Sequence, residues 1–346
     1  MSELSLLGRP ARYATGLEDL GAGLFAWLQP NGDVGESNAG LVVGDNESLL
    51  IDTLWDRRLT GRMLDAMAPR TVGAPIRRLV NTHGDPDHCW GNQLLAGAEI
   101  IATRATAQDV RREDPRQLRM LGRLAGALDG RRLPLPGAGK LAGLGAFAGM
   151  LRAYDFSGIT VTPPTLTFQG TLELDVGGRR VVLIEVGPAH TPGDLIVHVP
   201  DSGVVYAGDL MFVGVTPIMW VGPVENWIAG LQQIIDLEPK VVVPGHGPLT
   251  DIDGVREMQR YWEFVAATVR ARVSRGVSPS DCAGEIVRSL EFAAQPFASW
   301  DAPARIAVNA AIIARGDRGE GGSRVSSRTR MGLIAQMGEL ARELAT

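Results

Sequence analysis

The segment Thr82-His83-Gly84-Asp85-Pro86-Asp87-His88 packs two histidines and two aspartates into six residues, just beyond the β-rich run Ile76-Arg77-Arg78-Leu79-Val80. Few chemistries other than metal binding need nitrogen and carboxylate donors at that density. In an extended loop His83, Asp85 and Asp87 point to one side while His88 turns away, so one loop could serve two ions. The chain has 5 histidines in all, and four of them, His83, His88, His190 and His246, stand in Gly- or Pro-flanked loops. The fifth, His198, lies inside the apolar run LIVHV and reads as a sheet residue.

Three further runs end in a ligand-type residue. VVLIEVGPA leads to His190, VVYAG to Asp209 and VVVPG to His246. If these strand ends gather at one rim of a sheet, they complete a metal centre around the first loop. Cys89 follows His88 directly but reads as a small buried apolar residue, and it is left out of the ligand set.

The rest of the chain sets the frame. Its 346 residues, 45% hydrophobic and 21% charged, are ample for a large buried core. With 34 basic and 39 acidic residues there is no cationic footprint, which argues against nucleic acid as a partner. No apolar run is long enough to span a membrane. The opening MSELSLLGRPARYATG lacks a secretion pattern and the 2 cysteines lie far apart, so a cytoplasmic location is expected.

Short β-rich runs alternate with turns from about Gly23 to Thr103, with Gly44-Asp45-Asn46 as a hairpin turn. Arg57 to Met67 has helical spacing. Between about 108 and 156 two leucine stripes, Leu118, Leu121, Leu124, Leu128 and then Leu141, Leu144, Ala148, Leu151, predict an inserted helical pair separated by PLPGAG. Strands then resume, and helices dominate after Asp251. Residues 315–330, rich in Gly, Ser and charge, predict a flexible connection to a last amphipathic helix, MGLIAQMGELAREL.

On NAGLVVGDNESLLIDT, THGDPDH, AHTPGD, YAGD and PGHG, the chain resembles the metallo-β-lactamase-fold superfamily over nearly all of residues 20–265. The resemblance implies an α/β fold, an αββα sandwich of two mixed β-sheets flanked by helices, with a helical insertion and a helical C-terminal extension. It divides the chain into a catalytic domain, 1–265, and an extension, 266–346. It further implies two divalent ions, zinc first, with manganese or iron as alternatives. His83, Asp85 and His190 would hold one ion, Asp87, His88 and His246 the other, and Asp209 would bridge them. Asp52 is the expected hydrogen-bond partner of a ligand. One position departs from the family motif His-x-His-x-Asp-His: its second histidine is Asp85 here, a harder and anionic donor.

The activity implied by the resemblance is that of a hydrolase in which a metal-activated hydroxide, oriented by Asp87 as the catalytic residue, attacks an ester, thioester, lactone or related acyl bond. Trp55, Trp90, Phe212 and Trp220 are the candidate walls of a pocket for an apolar or aromatic small molecule, with the inserted helices as its cover. Alternatives on the same fold are a polyketide-type cyclase, thioesterase or decarboxylase-like enzyme, a mononuclear iron oxygenase, and a non-catalytic binding protein. The C-terminal helices offer a face for self-association or for docking on the chain's own domain.

Overall fold

A computed structural model describes residues 4–128 and 138–345. Most of the segment expected to separate the two inserted helices lies outside the described residues. Seven strands form the first sheet in chain order, β1 (Gly16–Gly21), β2 (Leu24–Leu28), β3 (Ala39–Val43), β4 (Ser48–Ile51), β5 (Ile76–Val80), β6 (Glu99–Thr103) and β7 (Leu166–Phe168). Five more form the second, β8 (Thr171–Val176), β9 (Arg179–Glu185), β10 (Leu195–Val199), β11 (Val204–Phe212) and β12 (Val241–His246). Both sheets are mixed. Strands β4 to β7 run parallel to one another, as do β11 and β12, and the remaining neighbours are antiparallel.

Period-two patterning decides which residues face which layer. Leu24, Ala26, Val42, Leu49, Ile51, Val80 and Ile101 of the first sheet meet Leu183, Leu195, Val197, Val204, Tyr206 and Val243 of the second in a core between the sheets. Their neighbours Phe25, Leu41, Leu50, Leu79 and Ile100 face outward, beneath the helix Arg57–Thr71. Gly40 is part of this fit, because a Cβ there would lie 2.3 Å from the Tyr206 ring. The hairpin between β3 and β4 turns as expected, with Asn46 in the left-handed region at φ 61°.

The outer face of the second sheet is covered by the helices Val224–Asp236 and Ile252–Val273. Residues of the C-terminal helices Pro279–Val287 and Ile306–Gly316 join the same buried cluster, which also holds Leu210, Trp227 and Trp262. The terminal helix, Ser327–Leu344, crosses the inserted helix Ala138–Met150, and the crossing is close because Gly143 and Gly338 meet there. The residues expected as a flexible connection are partly helical. Gly316 closes one helix, and the Ser326 side chain accepts from Thr329 N at 3.2 Å, which starts the terminal helix several residues before the apolar pattern does. No helix among the described residues is long and apolar enough to cross a membrane.

Candidate metal centre

The parallel pairs β4–β5 and β11–β12 bring their carboxyl-end residues to one edge of the sandwich, where open α/β sheets commonly place their chemistry. Asp52 follows β4, the loop 82–88 follows β5, His190 sits between β9 and β10, Asp209 lies within β11 and His246 ends β12. All seven residues predicted to hold metal meet here. The donors of His83, Asp85 and His190 lie within 4.8 Å of one another, as do those of Asp87, His88 and His246. Between the two groups stands Asp209, with its carboxylate oxygens 3.1 Å from His88 Nε2, 3.3 Å from His190 Nε2, 3.5 Å from His246 Nε2 and 3.8 Å from His83 Nε2. Gly245 makes room for it, since a Cβ at that position would fall 2.0 Å from Asp209 Oδ1.

The chain's own hydrogen bonds turn three rings the same way. Asp52, held at φ 61°, accepts from Thr82 N at 2.8 Å, from Thr82 Oγ1 at 2.6 Å and from His88 Nδ1 at 3.0 Å. With its hydroxyl proton given to Asp52, Thr82 Oγ1 accepts from His83 Nδ1 at 2.9 Å. His190 Nδ1 donates to the Ile218 carbonyl at 2.7 Å. In each ring Nδ1 is therefore the donor and Nε2 faces the centre. Asp194 fixes the loop that presents His190 by accepting from Ala189 N, Thr191 N and Thr191 Oγ1.

His83 Nε2 is buried without a hydrogen-bond partner, and His88 Nε2 and Asp209 Oδ1, 3.1 Å apart, face each other without hydrogen-bond geometry. A buried polar atom left unpaired costs about 1–3 kcal/mol. Divalent ions would satisfy all three atoms at once, so the donor set fits the metals expected of it. Burial, together with the neighbouring His88, pushes His83 well below the ordinary imidazole pKa and keeps its ring neutral. His190 behaves differently: burial opposes its charge, but Asp85 and Asp209 outweigh burial and raise it to about 9. In the metal-free chain a proton thus occupies Nε2, which donates to Asp85 Oδ2 at 3.2 Å.

Asp85 is shared. While Oδ2 faces His190, Oδ1 takes Arg324 Nη2 at 3.3 Å and lies 3.9 Å from Arg330 Nη2. Arg324 also reaches Asp109 at 2.9 Å and Glu113 at 2.8 Å, so an arginine of the C-terminal connection is anchored by three carboxylates, one of them in the His/Asp cluster. Burial works against ionisation of Asp85, but the His190 hydrogen bond and the two arginines hold its pKa below the usual carboxylate range.

Above the ligands lies a cavity of about 460 Å³. Trp55, Phe212 and Trp220 line it, as do Leu118 and Phe147 of the insertion and Met331, Ile334 and Met337 of the terminal helix. Trp90 does not. It is buried beneath the site, edge-on to Phe156 in the outer core of the first sheet. Cys89 is buried with its thiol directed at the Asp85 carbonyl, and His198 stays on its strand, away from the centre. The roles of Arg305, Arg324 and Arg330 on the cavity wall had no signal in the sequence, because each lies in a stretch that also reads as an ordinary helix or solvated loop.

The family model described as the metallo-beta-lactamase superfamily matches residues 32–246. The chain is 23% identical over 270 residues to 2,4-dinitroanisole O-demethylase subunit alpha of Nocardioides sp. (strain JS1661), a match that covers 75% of this chain and 67% of that one. It is 25% identical over 244 residues to acyl-coenzyme A thioesterase MBLAC2 of Bos taurus, covering 66% and 80% respectively. Among solved structures, the stereoselective inverting sec-alkylsulfatase Pisa1 from Pseudomonas sp. superposes with a TM-score of 0.64 at 16% identity, over 89% of this chain and 51% of that one. That likeness is one of fold.

Proposed function

The chain belongs to the metallo-beta-lactamase superfamily, and on that premise we propose that it is a hydrolase that binds two divalent ions, zinc first, and cleaves an ester, thioester, lactone or related acyl bond of a largely apolar small molecule. The observation that supports this most is the buried His/Asp cluster with unpaired Nε2 atoms at the floor of a cavity whose upper wall is aromatic and aliphatic. The thioesterase relative supports acyl chemistry in particular.

His83, Asp85 and His190 would hold one ion and Asp87, His88 and His246 the other, with Asp209 available to both. When bound, such ions supply an acidified water and a Lewis acid for the oxygen that gains charge. The chain supplies the rest. Asp52 and the Ile218 carbonyl keep the rings aimed. Asp87, at the cavity wall beside His246, is placed to orient the attacking water, to take its proton and to return it to the leaving group. The roof of Leu118, Phe147, Met331 and Ile334 excludes bulk water and receives the apolar body of the substrate.

A panel of medium-chain acyl esters, acyl thioesters and lactones, assayed with zinc-loaded protein, tests this reading. Turnover of at least one class, lost on chelation, restored by zinc or manganese and lowered about 100-fold or more in Asp87→Asn, is the expected result. A folded, metal-loaded protein inert toward the whole panel would contradict it.

A further inference from the structure

Four arginines line the cavity, Arg112, Arg305, Arg324 and Arg330, and their charges are not balanced alike. Arg324 is held by three carboxylates. Arg330 lies over the Trp220 ring at 4.6 Å and near Asp85 and Glu113, and Arg112 is an exposed rim residue 3.7 Å from Asp109. Arg305 differs in being buried, with its side chain only 6% exposed, and its nearest carboxylate oxygen is Asp33 Oδ1 at 4.0 Å. The carboxylates on that side are already engaged, Asp33 by Arg9 and Asp301 by Arg12. Among the described residues the guanidinium makes one hydrogen bond, Nη1 donating to the Thr216 carbonyl at 2.9 Å.

Taking a guanidinium out of water with neither a close counter-ion nor a full set of acceptors is costly, and such groups persist where an anion completes them. The position points to the reaction centre. Arg305 lies over the Phe212 ring at 5.8 Å, and the same ring stacks parallel on His246 at 5.0 Å. A group held by Arg305 would therefore sit one aromatic ring away from the metal ligands, while the apolar roof lies above. Burial opposes the charge of Arg305, and Asp209 and Asp87, whose fields favour it, would be engaged by the ions they hold, so the floor would offer the guanidinium little compensation.

We propose that Arg305 is a specificity-determining anion receptor, and that the substrate is a monoanionic amphiphile whose carboxylate or sulfate pairs with this guanidinium while its apolar chain fills the roof. The proposal rests on the hydrolase reading for its substrate but not for its binding chemistry. A planar guanidinium offers two parallel N–H donors to such a group, and a single unbalanced positive charge matches a monoanion better than a phosphate dianion.

Binding of octanoate, octyl sulfate and octan-1-ol to the zinc-loaded full chain, monitored by the fluorescence of the cavity tryptophans and by calorimetry, tests it. The wild type is expected to bind at least one of the anions about 30-fold or more tightly than the alcohol, Arg305→Gln to lose that preference, and Arg305→Lys to keep part of it. Octanoate preferred alone marks a carboxylate site and octyl sulfate a sulfate site. An anion preference that survives in Arg305→Gln places the anion on the metals and overturns the proposal, as does a wild type that binds all three ligands alike. If Arg305→Gln fails to fold because the Thr216 carbonyl loses its donor, checked by thermal melting, the comparison is read on Arg305→Lys, in which an undiminished preference overturns the proposal. Hydrolysis of neutral esters without any anion preference would sink the receptor and leave the hydrolase standing; anion-selective binding without hydrolysis of any acyl substrate would do the reverse.

Discussion

The floor of the cavity and the edge of its otherwise apolar roof, where the C-terminal connection meets the catalytic-domain loops, both carry clustered charge, but they handle it in opposite ways. In the floor four histidines converge on Asp85, Asp87 and Asp209, and several of their atoms have no partner. In the roof Arg324 is saturated by Asp85, Asp109 and Glu113, and Arg330 is supported by the Trp220 ring. The first arrangement leaves buried donors that a cation would complete; the second is paired as it stands and fastens the C-terminal connection to the edge that carries the His/Asp cluster. Asp85 belongs to both, with one oxygen in each. Its replacement of the family's usual histidine makes physical sense in that light, since a neutral imidazole there could not accept from both Arg324 and His190.

If this contrast is right, floor substitutions cost metal and roof substitutions cost stability. The largest effect is expected from Asp209→Ala, which removes the one carboxylate facing all four ligand histidines. Metal affinity should fall by about 1000-fold or more with the fold intact, as measured by competition with a chelating dye. Arg324→Ala should act the other way. It leaves three carboxylates together without their cation, and because Arg324 is partly exposed the expected loss is about 2–3 kcal/mol in denaturant unfolding, with metal still bound. Equal metal loss in both variants would erase the distinction.

Within the floor, Asp52→Ala should weaken metal binding by about 10–100-fold through the loss of the hydrogen bonds that aim His88 and, by way of Thr82, His83. An unchanged affinity would mean that packing alone orients those rings. The smallest effect concerns pH. His190 in the metal-free chain holds its proton up to about pH 9, and an ion binding at Nε2 must displace that proton. Affinity should therefore rise about tenfold per pH unit from this group on the way up to pH 9 and gain nothing more from it above. Calorimetry in two buffers of different ionisation enthalpy at pH 7 should register release of at least one proton.

The same division separates what could be read in the sequence from what could not. The floor residues lie in the loop 82–88 or shortly past β-rich runs punctuated by Gly or Pro, so local pattern marks them, and the αββα sandwich agrees with the order of those runs. Asp52 was legible too, as the polar end of LLID. The roof had no such signal. Arg324 contacts Asp85 across 239 positions, and Arg305 reaches Thr216 across 89. In a Gly- and Ser-rich stretch, composition cannot tell a paired arginine from a solvated one. Trp55 and Trp90 teach the same lesson on a smaller scale. Both come just after a ligand segment, but Trp90 sits in a helical turn that aims its ring into the core, whereas Trp55 opens on the cavity.

Elemental analysis of the purified full chain, alongside Asp85→Ala and Asp87→Ala, bears most directly on the centre itself. Two divalent ions per chain, with one lost in each variant, is the result that the convergence of these seven side chains predicts. A folded wild-type chain that holds no metal, even after incubation with zinc or manganese, would contradict it.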